Sequence, residues 1–361
     1  MSFRVPVLVW LALCAFYAQA LQAEASDLLS EKTIENLPSW PDELHWSSNG
    51  RYLLLDHSYN QLVVLDAEEE YKRIELGFEG QSIGAGWALD QTLFLASGDG
   101  TAKLWNPPFQ ETAFHYQFPQ GCNGEKAVIN EQASYIGFGS CLLHIRSETL
   151  TDTFKGKSHA VQSGIGLVGA DYMFTSGFHD RQLRLWDIQK GTLQSWQIKD
   201  QIAAADISFD GNYLALGARA GWLDFSFSEI VLFQTGQSEQ VTSVYTFESP
   251  NTVRFIPKTE LLAALTGDST ITVYRVPDLG EKATFHVAPG ESVVTALDVS
   301  EQYIAAGDQN GNLGIWGVAG STLSVQAKVC SDGVQSVSIH PVEPKLAVGC
   351  RSDKVYIVSV R

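Results

Sequence analysis

The chain carries none of the short motifs that announce common catalytic chemistry. It has no Cys-x-x-Cys-His, no His-Glu-x-x-His, no Gly-x-x-x-x-Gly-Lys and no Gly-x-Gly-x-x-Gly after a strand. Their absence argues against covalent haem, zinc hydrolysis, and P-loop or dinucleotide binding. Positive charge is scarce: 24 Lys and Arg face 41 Asp and Glu, for a net charge of -17. Nucleic acid and anionic membrane surfaces repel such a molecule, so neither is expected as a partner. After the first twenty-odd residues no apolar run is long enough to span a bilayer. Linkers, low-complexity stretches and long charge blocks are missing too; Asp66 to Glu70 is a short acidic turn. None of the asparagines begins an Asn-x-Ser/Thr sequon, which favours a bacterial envelope over eukaryotic secretion.

What the chain does have is a repeat. A short strand of alternating apolar residues, often closed by an aromatic, returns eight times and ends at Leu65, Trp105, Arg146, Trp186, Phe233, Tyr274, Trp316 and Val358. The steps between these ends are 40, 41, 40, 47, 41, 42 and 42 residues. Strand-type alternation at this period marks a β-propeller, with one small sheet per repeat. Upstream of each copy sits a hairpin turn and a second strand. Ser48-Asn49-Gly50-Arg51-Tyr52-Leu53 in the first repeat matches Phe209-Asp210-Gly211-Asn212-Tyr213-Leu214 in the fifth. Asn-Gly and Asp-Gly supply the positive φ that tight turns need. The strands that follow, such as Leu214-Ala215-Leu216-Gly217 and Ile304-Ala305-Ala306-Gly307, are almost continuously apolar. That pattern fits burial on both faces, between neighbouring blades. Each repeat thus supplies strands a, b, c and a looser outer d.

The fourth repeat resembles the WD40 family almost position for position, over Thr175-Ser176-Gly177-Phe178-His179-Asp180-Arg181-Gln182-Leu183-Arg184-Leu185-Trp186-Asp187. The resemblance implies a structural tetrad formed by His159, Ser176, Asp180 and Trp186. A hydrolase reading of the same Ser, His and Asp lacks a Gly-x-Ser-x-Gly elbow around Ser176. The other seven repeats keep the alternation and lose most of the tetrad. The resemblance further implies a ring closed by an N-terminal strand that completes the last blade. The eighth c strand runs to the end of the sequence, so the segment from Glu24 to Trp40, with Thr33-Ile34-Glu35-Asn36-Leu37 alternating, is the available donor. The fold expected is all-β, an eight-bladed propeller of four antiparallel strands per blade. Seven blades, the commoner WD40 number, would leave one repeat unplaced.

The first residues read as an export signal, with Arg4, an apolar run from Val5 to Tyr17, and Ala18-Gln19-Ala20 as a small-x-small cleavage site. The expected division is a signal peptide over 1–23, cut after Ala20 or Ala23, and a single propeller domain over 24–361. Cys14 raises lipidation, but Leu13 precedes it where that signal prefers a small residue. Loss of Arg4 with the leader leaves the mature chain at -18. The expected location is periplasmic or secreted, the expected state monomeric and soluble.

Four cysteines remain in the mature chain. Cys122 precedes the third a strand and Cys141 is read as the end of the third b strand; Cys330 and Cys350 hold the same places in the eighth repeat. With the third turn centred on Glu131-Gln132, residues 122 and 141 are equidistant from it and should face each other. An even count in an exported chain supports two disulfides, Cys122–Cys141 and Cys330–Cys350, with free buried thiols as the alternative. Neither pair has zinc-site spacing, and no metal or cofactor is expected. Asp99, Asp268 and Asp308 recur beside glycines at b–c turns, where Asp forms turns. His57, His144, His179 and His286 lie in different repeats.

The step of 47 residues breaks the period, and its excess falls between strands b and c of the fifth repeat, from Ala218 to Ser228. Such a hairpin should project from one face of the ring. Trp222, Phe225 and Phe227 within it are residue types that anchor protein interfaces; the alternative folds them back onto neighbouring loops. The aromatic segment from Pro107 to Tyr116 is read as packing. The leading expectation is a non-enzymatic interaction scaffold that docks a protein partner, with an accessory role in an envelope complex as a variant. The runner-up is a propeller enzyme or cofactor carrier of the quinoprotein or haem type. That class needs a funnel of cationic and metal-liganding residues, which this acidic chain does not show.

Overall fold

In the computed structural model, thirty-two strands form eight antiparallel sheets of four strands each. The structure describes residues 28–360, except 58–60, 77, 79, 123–124, 154–161, 220–227, 288–291 and 319–323. Blade 1 takes Glu43–Trp46, Tyr52–His57, Gln61–Asp66 and Lys72–Glu75 as strands a to d. Blade 5 takes Gln201–Ile207, Tyr213–Arg219, Ser228–Gln234 and Gln240–Thr246. The order within blades 1 to 7 is sequential.

Blade 8 is the exception that closes the ring. Val334–Ile339, Lys345–Cys350 and Lys354–Val360 supply its a, b and c strands, and Leu28–Ile34 adds the outer strand antiparallel to the last of these. The N-terminal strand thus lies a few residues earlier than its alternation suggests. It stops at Ile34 because Asn36 turns the chain through a left-handed conformation, φ 58°. Leu37 then drops into the core between blades 8 and 1. His340 seals the same junction: its Nε2 lies 3.0 Å from the Gly50 carbonyl, and its ring meets Trp46 edge-on at 4.7 Å. Gly50 has φ 77°, and a Cβ there would stand 2.1 Å from the His340 ring, so both turn and contact require glycine.

The continuous apolar character of the b strands has a direct cause. Among the described residues there are eight core clusters, each shared by two adjacent blades. Successive side chains of one b strand point to opposite sheet faces, so both faces are core. Leu53 and Leu55 pack toward blade 8 while Leu54 packs toward blade 2. Leu93 and Leu95 face blade 1, whereas Phe94 and Ala96 face blade 3. Phe109 is buried against Tyr52 and Trp87 between blades 1 and 2, so the Pro107–Tyr116 segment begins as packing.

Both disulfides are present, Cys122–Cys141 with Cα atoms 5.3 Å apart and Cys330–Cys350 at 5.6 Å. The third hairpin differs in detail from the sequence reading. Cys141 begins strand c (Cys141–His144), and the b strand ends at Phe138. Ala127 pairs with Phe138, which moves the turn centre to Gln132-Ala133. Cys122 therefore stands outside the ladder, in the single helical turn Gln120–Cys122, and its bond ties that turn to strand c. Cys350 does end the b strand of blade 8.

Candidate functional site

Strands a line the centre of the ring, and one position on them carries a polar side chain in five of the blades. Paired with the third residue of each b strand, it is filled by His45, Ala85, Val128, Gly166, Asp206, Arg254, Asp298 and Ser338 in blades 1 to 8. Three of these residues tie blades together. Asp206 accepts the Phe255 N–H of blade 6 at 2.8 Å, and Asp298 accepts the Ile339 N–H of blade 8 at 2.7 Å. Ser338 accepts the Trp46 N–H of blade 1 at 3.4 Å. Each carboxylate also accepts the N–H of its own next residue, Ile207 and Val299, at 2.9 Å. Burial raises the pKa of both, against the pull of those hydrogen bonds and of Arg254.

Above this ring, six of the a strands carry a β-bulge, in blades 2, 4, 5, 6, 7 and 8. A bulge leaves one residue out of the ladder and re-aims it. Ile83, Ser163, Ala203 and Asn251 are such residues, and all four line a cavity of about 420 Å³ in the channel. Glu43, Lys126 and Arg254 share its wall. Glu43 bonds His45 at 3.0 Å, and this bond outweighs burial to hold the Glu43 pKa down at about 2. Burial opposes protonation of His45, but the Glu43 bond and the charges of Glu43, Asp56 and Asp298 raise its pKa overall.

The face that carries the b–c turns and d–a loops is built differently. A second cavity, about 670 Å³, opens there between blades 5, 6 and 7. Arg219 at the end of blade 5 strand b, Glu248 and Ser249 in the next d–a loop, and the Gly267-Asp268-Ser269 turn line it, with Asn251 shared by both cavities. The wall is fixed by backbone: Gly267 N–H donates to the Ser249 carbonyl at 2.8 Å, and Asn251 Nδ2 to the Gly267 carbonyl at 2.8 Å. Ser249 Oγ is buried with no hydrogen-bond partner.

Trp222, Phe225 and Phe227 lie outside the described residues, as does His159. Their segment leaves the sheet at Arg219 and re-enters at Ser228, and Ser228 pairs with Thr246. The register thus sets the base of the insertion beside Phe247, which is 95% exposed, and Tyr245, which is 71% exposed. The sequence reading missed these two aromatics. The alternation Val241, Ser243, Tyr245 on the outer strand was the available signal.

Of the tetrad, Ser176 is fully buried and shares a 2.9 Å hydrogen bond with Ser163 Oγ. Asp180 accepts the Gln182 N–H at 3.2 Å and pairs with Arg184 at 3.5 Å. Trp186 packs against the Leu142–Met173 cluster between blades 3 and 4. Asp99 and Asp308 cap their turns, accepting from Thr101 N–H at 2.8 Å and from Asn310 and Asn312 N–H at 2.9 and 2.8 Å. His57, His144, His179 and His286 remain in separate blades. Among the described residues no group of three or more His, Cys, Asp or Glu could hold a metal ion.

No protein-family profile matches the chain. The echinoderm microtubule-associated protein-like 1 of Rattus norvegicus is 25% identical over 288 residues, 75% of this chain and 34% of that protein. The 77 kDa echinoderm microtubule-associated protein of Lytechinus variegatus is 22% identical over 255 residues, 68% of this chain and 37% of that protein. The chain therefore spans about one third of the length of these relatives. The crystal structure of the Cps50 (Swd1) β-propeller domain of Myceliophteria thermophila superposes with a TM-score of 0.63 at 15% identity, covering 92% of this chain and 100% of that one. The fold is that of an eight-bladed β-propeller. Two disulfides are compatible with an extracellular or periplasmic location. No described helix is long and apolar enough to cross a membrane.

Proposed function

We propose that this chain is an exported, non-enzymatic scaffold, an accessory factor of an envelope complex. It docks a protein partner on the face that carries the fifth-blade insertion. The observation behind this reading is the convergence on one blade edge of Tyr245, Phe247 and the base of an aromatic-rich insertion, beside a cavity of about 670 Å³. Exposed aromatics next to a recess are the usual anchors of an interface. The oxidising location, which both disulfides favour, is part of the proposal, and so is removal of residues 1–23. Microtubule association belongs to the relatives' names and is not carried over, since an exported chain would not meet that partner.

Replacing Tyr245 and Phe247 together by Ser tests it. Capture of the partner from the native envelope should fall by roughly thirty-fold, the equivalent of a hot-spot loss of about 2 kcal/mol, with melting behaviour unchanged. Full retention of capture would remove this edge from the interface.

A further inference from the structure

The central cavity holds charge that the scaffold reading does not use. Arg254 projects from blade 6 into the channel, and its charge is felt by Glu43, Asp206 and Asp298 on blades 1, 5 and 7. Among the described residues its guanidinium forms neither a hydrogen bond nor an ion pair. Asp206 and Asp298 do not turn to it, because their oxygens already accept backbone N–H groups. Five N–H donors in a planar fork are thus uncommitted inside a channel. Lys126 of blade 3 lines the same cavity, likewise without an ion pair among the described residues. Glu43 of blade 1 lines the same cavity; it bonds His45 through Oε2, and among the described residues its Oε1 has no hydrogen-bond partner.

The walls between the charges are small: Gly84, Gly164 and Ala204 give width, while Thr252 and Asn251 offer polar groups. A volume of about 420 Å³ lies in the range of small-ligand sites, roughly 300–1,000 Å³. The sign pattern narrows the ligand further. A pure anion would enter against the field of a molecule of net charge -17, and a pure cation would meet Arg254 and Lys126. A ligand that is neutral overall but charged at both ends avoids both penalties.

We propose that the channel binds a small zwitterion of dipeptide size, its carboxylate held by Arg254 and Lys126 and its ammonium by Glu43. Bidentate pairing of guanidinium with carboxylate gives the orientation. The site is distinct from the partner-docking edge, so either can fail without the other.

Calorimetric titration of the purified protein tests this with four probes: the dipeptide alanylalanine, its N-acetyl form, its C-terminal amide, and inorganic phosphate. The dipeptide should bind with a dissociation constant of about 1 mM or tighter, and each blocked form at least about tenfold more weakly. Arg254→Gln should weaken dipeptide binding by a similar factor in a protein that still folds, since among the described residues that side chain makes no hydrogen bond or ion pair. The proposal is overturned if the dipeptide fails to bind at about 10 mM, if a blocked form binds equally well, or if Arg254→Gln binds as the parent does. Phosphate binding as tightly as the dipeptide would also overturn it, by making the channel a simple anion site.

Discussion

Single side chains do two kinds of work in this ring, and titration separates them. Asp56, 5% exposed on strand b of blade 1, accepts a hydrogen bond from Ser82 of blade 2 at 2.8 Å, while its Oδ1 is buried with no partner. Burial pushes its pKa up to about 6, against the Ser82 bond and the charge of His45. Unfolded, the same carboxyl ionises near 3.8. Between these values the native state binds more protons, so stability falls as pH rises from about 4 to about 6 and then levels off. The difference between the two states corresponds to roughly 3 kcal/mol. Asp56→Asn removes this titration, so its melting temperature should gain on the parent's between about pH 4 and 7; parallel curves would contradict the assignment. Glu43 acts the other way, contributing stability above its ordinary pKa that is lost as pH falls toward about 2. Asp298 is a blade-to-blade tie. Asp298→Ala leaves the Ile339 N–H unpaired and should cost about 1–3 kcal/mol, whereas Asp298→Asn keeps an acceptor and should cost clearly less. Denaturation midpoints compare the two; equal losses would show that the charge, and not the hydrogen bond, matters.

Strands and hairpins were the part most legible in the sequence. Eight alternating c strands and eight buried b strands announce the blades, because a b strand buried on both faces tolerates only apolar or small residues. Register was less legible. The third hairpin reads one residue off, since Cys122 belongs to a helical turn outside the ladder and alternation says nothing about such turns. The closing strand reads too late, because Asn36 takes a left-handed turn that pattern alone does not reveal. The disulfides staple loops of 19 and 20 residues' separation. Reduction of either should destabilise the fold by about 2–4 kcal/mol. Non-reducing peptide mapping should recover Cys122 joined to Cys141 and Cys330 joined to Cys350; four alkylatable thiols in unreduced, denatured protein would contradict it. Deleting residues 28–34 uncovers the edge of the Lys354–Val360 strand, and self-association by light scattering is the expected result. A variant that stays monomeric with an unchanged melting temperature would show that the closing strand is dispensable.

At the scale of the whole molecule, the candidate site was only half legible. The long fifth step revealed where the insertion lies, and the structure adds the edge beside it. Tyr245 and Phe247 escaped because an outer strand exposed on one face reads like an inner one until its neighbours are known. The channel charges escaped for a related reason: Glu43, Lys126 and Arg254 lie in three repeats far apart in sequence, and only ring closure brings them to one cavity. The central claim is that the fifth-blade edge is the docking surface. Site-specific photo-crosslinking tests it most directly, with a photoreactive phenylalanine placed at Phe247 or at Val342, an apolar residue 70% exposed on the a–b turn of blade 8. Irradiation in the native envelope should give a discrete protein adduct from position 247 and none from position 342. The same adduct from both positions, or none from 247, would contradict the account.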